Sequence, residues 1–332
     1  MLIRSMVYGN AFLSALYHAR VLSLISVKYG SSAFLERNAN LCRILNPDTD
    51  YHWIVVNNDS DPNLSSSEFK ILPAVPKPIA QDKGSTHHAN AINSALAEVS
   101  SRFVLVLDHD FFVVRPNWIK LVLAYMQQHN LTFLASQWHP RWSYQPQRLP
   151  SVHFMLIDLE KVELKTLDFS PDFAGNYFDN LISSPKIPLL PALRTLLQTG
   201  RFRDTGYRLQ KLFRQQRFEC LDLFVDMDAL TAQAPKLHHL AKRWLPQTLS
   251  PLPKNTSFYS TTSFLRAVNP EAYKSGWEEF FWQKQPFAFH LRRVGRVSSQ
   301  TDDLAMLERV LAASDNLHNK HSWQQWAQTM CL

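Results

Sequence analysis

No stretch of this 332-residue chain approaches the roughly 18 to 20 uninterrupted apolar residues that a membrane-spanning helix needs. The nearest candidate, Met6 to Tyr17, is broken by Gly9, Asn10 and Ser14, is followed by His18 and Arg20, and offers no persuasive cleavage site. The chain therefore reads as soluble, with room only for a peripheral membrane contact. Cysteine is scarce as well. Cys42, Cys220 and Cys331 lie far apart with no CxxC spacing, which argues against a structural zinc site and a disulfide framework. A reducing compartment suits such a chain, so the expected location is cytoplasmic, at most peripheral to the inner face of the membrane. No internal repeat or low-complexity tract is visible, which sets aside solenoids and disordered arrays.

What is present is globular. Hydrophobic residues are 45% of the chain and charged ones 19%, enough apolar material for a large core. A formal charge of +7 and a pI near 9.3 suit an acidic partner, whether nucleic acid, an anionic membrane surface or a phosphate-bearing substrate. The length fits one large α/β domain or a core with a substantial C-terminal extension.

The first third alternates short β-rich runs with helical patterns, the mark of βαβ units and a mainly parallel sheet. Val21 to Val27 reads as a strand and Lys28 to Ser32 as its loop. Ala33 to Leu45 has apolar residues at largely helical spacing and stops at Asn46-Pro47-Asp48. His52 to Val56 is a second strand running into a polar turn cluster, and Phe69 to Leu72 a third. Ser85 or Thr86 is placed to cap a helix with an apolar stripe of Ala89, Ile92, Leu96 and Val99. The strand Phe103 to Leu107 then delivers Asp108. Leu131 to Ala135 and Val152 to Ile157 read as further strands, separated by an aromatic loop with Trp138, His139, Trp142 and Tyr144. From about Phe169 the pattern is irregular and more helical. Pro185, Pro188 and Pro191 mark a break and Arg201 to Arg217 a basic stretch.

Asp108-His109-Asp110 ends a Val/Leu strand with two carboxylates one residue apart, at the edge of a parallel sheet where ligands of open α/β folds bind. Alternate side chains of an extended segment point the same way, so both acids are able to converge on one divalent cation, or on a cation and a ribose. A DxD triplet alone is a common accident. Here Phe111-Phe112-Val113-Val114 follows at once, and acids embedded between apolar runs are costly without a partner.

The stretch from about Val21 to Trp118 resembles the nucleotide-binding half of GT-A glycosyltransferases, especially the inverting family-two type. The resemblance rests on the order of its parts: Val21–Val27 with Tyr29-Gly30, Ile54 to Asn58, Gly84 to Asn90, and Leu105 to Phe112. It implies a Rossmann-like, mixed but mainly parallel α/β sheet flanked by helices, with residues 1–168 as the nucleotide-sugar core. Residues 169–332 become the acceptor side and C-terminal part of the same unit. It further implies a nucleotide-diphosphate sugar as donor, Mn2+ or Mg2+ as cofactor, and a glycan or lipid-linked acceptor.

The resemblance assigns Asp108 to the ribose and the metal, and Asp110 to the metal. The base-holding acid of the family falls on Asn57, with Asp59 nearby, a departure because an amide both donates and accepts. Tyr29 and Gly84 complete the donor contacts. His88 and Asn90 stand where the family carries an Arg-Asn pair; the alternative is that they only decorate a helix start. His290, ending the alternation Phe287-Ala288-Phe289, matches the family's C-terminal metal histidine, although a lone histidine there is as readily structural. Arg292, Arg293 and Arg296 would hold phosphates. Asp204, in Arg203-Asp204-Thr205-Gly206, resembles the catalytic base, with a helix N-cap as its duller role and Asp226 or Asp228 as substitutes. The aromatic loop fits either sugar stacking or core packing.

Three other readings compete. A catalytically silent GT-A-like binding module is the main one. A sugar-phosphate nucleotidyltransferase lacks its Gly-rich, basic phosphate loop here. Nucleic-acid binding is disfavoured because Phe202, Tyr207, Leu209, Leu212 and Phe213 space the basic stretch as an amphipathic helix for a core or an anionic lipid surface.

Overall fold

In a computed structural model of the chain, described over residues 21–30, 32–59, 64, 67–77, 83–139, 147–171, 204–225, 259–260, 263–274, 276–291 and 300–320, strand β1 (Leu22–Lys28) is buried along its whole length. Its near-continuous apolar character is what a strand covered on both faces requires. The two serines that interrupt it are satisfied inside the sheet: Ser23 pairs with the Ser101 hydroxyl, and Ser26 donates to the Leu107 carbonyl. Helix α1 (Ala33–Leu45) buries Phe34, Leu35, Asn38, Ala39, Leu41 and Cys42 on one face. It stops at Asn46, whose amide donates to the Cys42 carbonyl while its Oδ1 accepts from the Ile119 backbone.

Strands β2 (Tyr51–Asn57), β3 (Phe69–Leu72) and β4 (Phe103–Leu107) lie parallel in the same sheet, with α2 (Lys83–Leu96) crossing from β3 to β4. Because α2 is already under way at Lys83, Ser85 and Thr86 sit inside its first turn instead of capping it. Next come β5 (Phe111–Val113), α3 (Trp118–Gln128), β6 (Phe133–Trp138) and β7 (Gln147–Asp158). Trp138 thus ends a strand, where a loop was expected; it is buried and meets the His153 ring edge-on at 4.9 Å. Trp142 and Tyr144 lie outside the described residues, as do Met6–Tyr17, Pro185, Pro188 and Pro191.

Beyond 3-10 turns at Leu164–Thr166 and Tyr207–Leu209 follow α4 (Gln210–Gln215), β8 (Phe218–Cys220), β9 (Asp222–Phe224), β10 (Tyr259–Ser260), α5 (Phe264–Val268), α6 (Pro270–Lys274), β11 (Glu278–Trp282), β12 (Gln285–His290) and α7 (Gln300–Lys320). The basic stretch packs inward over its described part. Leu209 and Phe213 are buried, and Phe213 sits edge-on to Phe133 at 5.1 Å. No helix among the described residues is long and apolar enough to cross a membrane.

The main sheet runs β3-β2-β1-β4-β7-β6-β8, parallel except for β7, which is antiparallel to both its neighbours. This is a mixed, mainly parallel α/β sheet with helices on both faces. Leu24, Trp53, Val55 and Leu105 point toward α1 and α3, and Ile25, Ile54, Val56 and Val106 toward α2. Full burial of each such side chain contributes about 1.5 to 3 kcal/mol. A second sheet, ordered β10-β9-β11-β12-β5, begins one residue after Asp110 and packs on α5, α6 and α7. The halves of the chain interlock: β5 comes from the first and joins the second sheet, while β8 comes from the second and joins the main one.

Glu279 of β11 is a buried acid outside the main sheet. It accepts from the Ser263 hydroxyl and the Phe264 backbone N–H at the start of α5. Burial pushes its carboxyl up to about 8, although these donors pull the other way. A raised acid pKa contributes stability present below the unfolded value, near 4.5, and lost as pH rises through about 8. Glu279→Gln should therefore be close to wild type in melting temperature at pH 5 and gain on it steadily toward pH 9. Parallel pH profiles in thermal melts would show that Glu279 is not the titrating group.

Candidate functional site

The carboxyl ends of β1, β2 and β4 form one edge, and the chain is stitched together there. In the parallel register Lys28 lies beside Asn57. Trp53 Nε1 donates to Ser26 Oγ at 3.0 Å, and Ser26 donates to the carbonyl of Leu107 at 2.6 Å, a buried line across β2, β1 and β4. Asp108 leaves that edge in a tight turn closed by the Phe111 N–H on the Asp108 carbonyl. Asn38 of α1 holds the turn, donating from its buried amide to the carbonyl of Phe111 at 2.9 Å.

Three histidines surround the acids. His290 comes from the far end of the chain because β12 pairs antiparallel with β5, placing His290 opposite Phe111 and next to Asp110. Its Nε2 lies 3.4 Å from Asp110 Oδ1 and 3.8 Å from Asp108 Oδ2. On its other side β11 sets Glu278 directly opposite, 3.1 Å from His290 Nδ1. A Glu278 carboxylate accepting from Nδ1 fixes the ring and leaves Nε2 facing the acids, an arrangement typical of metal-ligating histidines. The second histidine, His88 of α2, brings Nε2 within 3.6 Å of Asp108 Oδ1.

The third, His153, escaped the sequence reading. Its Nδ1 donates to Asp108 Oδ2 at 2.7 Å, its carbonyl accepts from the Asp108 N–H, and its ring lies 4.6 Å from that of His290. A β-bulge carries it. Along β6, Ala135 pairs with Met155 but Ser136 pairs with Ser151, so Val152, His153 and Phe154 are extra residues on β7. Strand alternation does not reveal a bulge, although a histidine within an apolar strand was a usable signal. The donor atoms of Asp108, His153 and His290 all lie within 4.8 Å of one another.

The electrostatics follow. Burial alone would raise the Asp108 carboxyl, but the His153 hydrogen bond and the nearby His88 and His290 imidazoles hold it well below the usual carboxylate range. Asp110 is likewise lowered, chiefly by His290 acting against burial. His290 itself is raised to about 9: burial opposes its charge, and Asp110 and Glu278 overcome that opposition.

The other anticipated residues are distributed unevenly. Asp59 Oδ1 accepts from the buried Lys28 Nζ and Oδ2 from the Gly30 N–H, both at 2.7 Å, so Asp59 braces the loop on which Tyr29 stands exposed. This bond set holds the Asp59 carboxyl low despite partial burial. Asn57 is buried at the β2 end. Next to it Asn58 donates to the His87 carbonyl and accepts from the Val75 N–H, tying α2 to the edge. Gly84 and Asn90 are exposed on α2, and nothing lies within 4 Å of where a Gly84 Cβ would be.

Asp204 sits in a turn anchored to α2 and to Phe169. Thr205 donates to the Ser85 carbonyl of α2, and Gly206 donates to the Phe169 carbonyl. Asp204 Oδ1 accepts from the Thr205 N–H, and no side chain caps the 3-10 turn that follows. Arg203, Asp226, Asp228, Arg292, Arg293 and Arg296 lie outside the described residues.

The model of the family described as glycosyl transferase family 2 matches residues 23–181, bearing out the resemblance to family-two GT-A enzymes over that stretch. No curated protein matches the chain. Among solved structures, S. aureus TarS 1-349 aligns at 16% identity and TM-score 0.34, over 45% of this chain and 50% of its own. A mannosyltransferase from Pyrobaculum calidifontis, PcManGT in complex with GDP-Man and Mn2+, aligns at 12% identity and TM-score 0.33, over 71% and 73%. The galactosyltransferase LgtC with donor and acceptor sugar analogs aligns at 11% and 0.37, over 76% and 92%. The chain spans half the length of TarS 1-349 and 30% of the longer TarS structure.

Gly206 makes the Asp204 turn testable. It has φ +84°, and a Cβ there would meet Val152 Cγ1 at 2.7 Å, next to His153. Gly206→Ala should cost about 1 to 3 kcal/mol, read as a lowered denaturant midpoint. An unchanged midpoint would mean that the turn is not pinned to β7.

Proposed function

We propose that this GT-A-fold chain is a glycosyltransferase that moves a sugar from a nucleotide-diphosphate sugar to a hydroxyl of a glycan or lipid-linked acceptor, inverting by direct displacement. The observation that carries the reading is the convergence of Asp108, Asp110 and His290 at the carboxyl edge of the parallel strands. Mn2+ or Mg2+ would be held by those three residues.

The donor set fits such an ion. Two carboxylates and an imidazole Nε2 face one another, and Glu278 adds a third acid behind the ring. A cation among these carboxylates would also give a diphosphate a counter-charge at this edge. When bound, the ion offsets negative charge that grows on the departing diphosphate.

The remaining roles are those of the chain itself. Asp108 receives the ribose as well as the ion. Tyr29 offers an exposed aromatic face to the base, with Asn57 and the Lys28-braced Asp59 at its flank. His88 and the α2 entry at Gly84 and Asn90 lie on the donor side, and His88 is the one within reach of Asp108. Asp204 takes the proton from the acceptor hydroxyl as its oxygen attacks the anomeric carbon. The support for this role is the anchoring of its turn to α2 through Thr205 and Ser85, three residues from His88.

Incubation with a panel of nucleotide-sugars and Mn2+ or Mg2+ should release free nucleoside diphosphate slowly even without acceptor. A silent binding module would associate without turnover. Asp110→Ala should abolish metal-dependent donor binding, and calorimetry showing unchanged affinity would remove Asp110 from the site. Asp204→Asn should keep donor affinity and lower turnover on the order of 100-fold. Wild-type turnover in that variant would move the base to Asp226 or Asp228.

A further inference from the structure

Three imidazoles approach Asp108, His153 by a 2.7 Å hydrogen bond and His88 and His290 at 3.6 and 3.8 Å. A three-residue excess on β7 brings His153 there, with 9% of its side chain exposed. Bulges beside sites re-aim a side chain, and this one aims an imidazole at the gap that His290 enters from the second sheet.

The spacing of the donor atoms is informative. Ligands about 2.1 Å from one ion lie about 3.0 Å apart when adjacent and about 4.2 Å apart when opposite. The observed separations are 2.7 Å for His153 Nδ1 to Asp108 Oδ2, 3.4 Å for His290 Nε2 to Asp110 Oδ1 and 3.8 Å for His290 Nε2 to Asp108 Oδ2. The donors of Asp108, His153 and His290 all lie within 4.8 Å of one another, so a small inward shift would bring them around one ion, with Asp110 reached through its neighbour His290.

We propose that His153 is an inner ligand of the cation in this site, which is then held by two imidazoles and two carboxylates, the second imidazole strengthening its preference for a first-row transition ion over Mg2+. This rests on the reading of the acidic triplet as a cation site. A cation bound there would be held by His153 Nδ1 in place of the proton now shared with Asp108 Oδ2, and the neutral ring would then carry its proton on the buried Nε2. Imidazole donors favour first-row transition ions, whereas Mg2+ prefers oxygen ligands and gives up water reluctantly.

The test uses the full chain and Mn2+ alone as probe. Electron spin-echo modulation should count two coordinated imidazole nitrogens in the wild type and one in His153→Gln. In the variant, Mn2+ affinity should fall at least about 10-fold and the preference for Mn2+ over Mg2+ should shrink, with circular dichroism checking the fold. Should the variant fail to fold, the nitrogen count of the wild type decides by itself. One nitrogen in the wild type, or unchanged Mn2+ affinity in a folded variant, would confine His153 to orienting Asp108 while leaving the cation site standing. No Mn2+ binding by the wild type would overturn the cation site and this proposal together.

Discussion

Two carboxylates held side by side in a partly dry edge repel each other and lose solvation, and everything around them answers that cost. Asp108 and Asp110 each keep less than a fifth of their side chain exposed, yet both stay on the ionised side of their ordinary range. Imidazoles make the difference. They arrive from α2, β7 and β12, so the arrangement depends on the main sheet, its antiparallel strand and the second sheet all being in place. Within the described residues no single element builds the site.

The second sheet has a functional logic in this light. Since β5 begins one residue after Asp110, any strand pairing with β5 must pass beside the acids. Pairing with β12 brings His290 level with Phe111, and pairing of β11 with β12 brings Glu278 level with His290. One row of cross-strand neighbours thus sets the acid, the histidine and the residue that orients the histidine. A one-residue slip of β12 would turn His290 to the opposite face, so the apolar packing of Phe112 and Phe289 against Phe264, Leu307 and Val310 also maintains the site.

Local patterning made the main sheet legible. Mostly apolar strands followed by turn residues marked β1, β2 and β4, and the helical spacing of α1 matched its bounds, because both-face burial and helix periodicity leave direct traces in composition. The acids and His290 were legible too, through an apolar run ending in polar residues. His153 and Glu278 were not. One depends on a bulge and the other on an antiparallel register across strands distant from the acids, and neither leaves a periodic trace. Asp59 was read for its charge, whereas its bonds to Lys28 and Gly30 depend on which loops meet at the sheet edge.

Lys28 and Asp59 bear on how the base end of such a site works. A lysine with essentially no exposure is tolerable only when paired, and Asp59 pairs it while also fixing the Gly30 N–H. Both carboxylate oxygens of Asp59 are therefore engaged by the protein, and a base reading this loop would have to share them with Lys28 and the backbone. In the proposed reading, recognition through a freely offered acid is thus weakened, and the exposed ring of Tyr29, on the loop that the pair braces, is open to a planar ligand. In the proposed reading a stacking contact of that kind would distinguish poorly between bases, leaving selectivity at this end to the shape of the edge formed by Asn57, Asn58 and the Val75 segment.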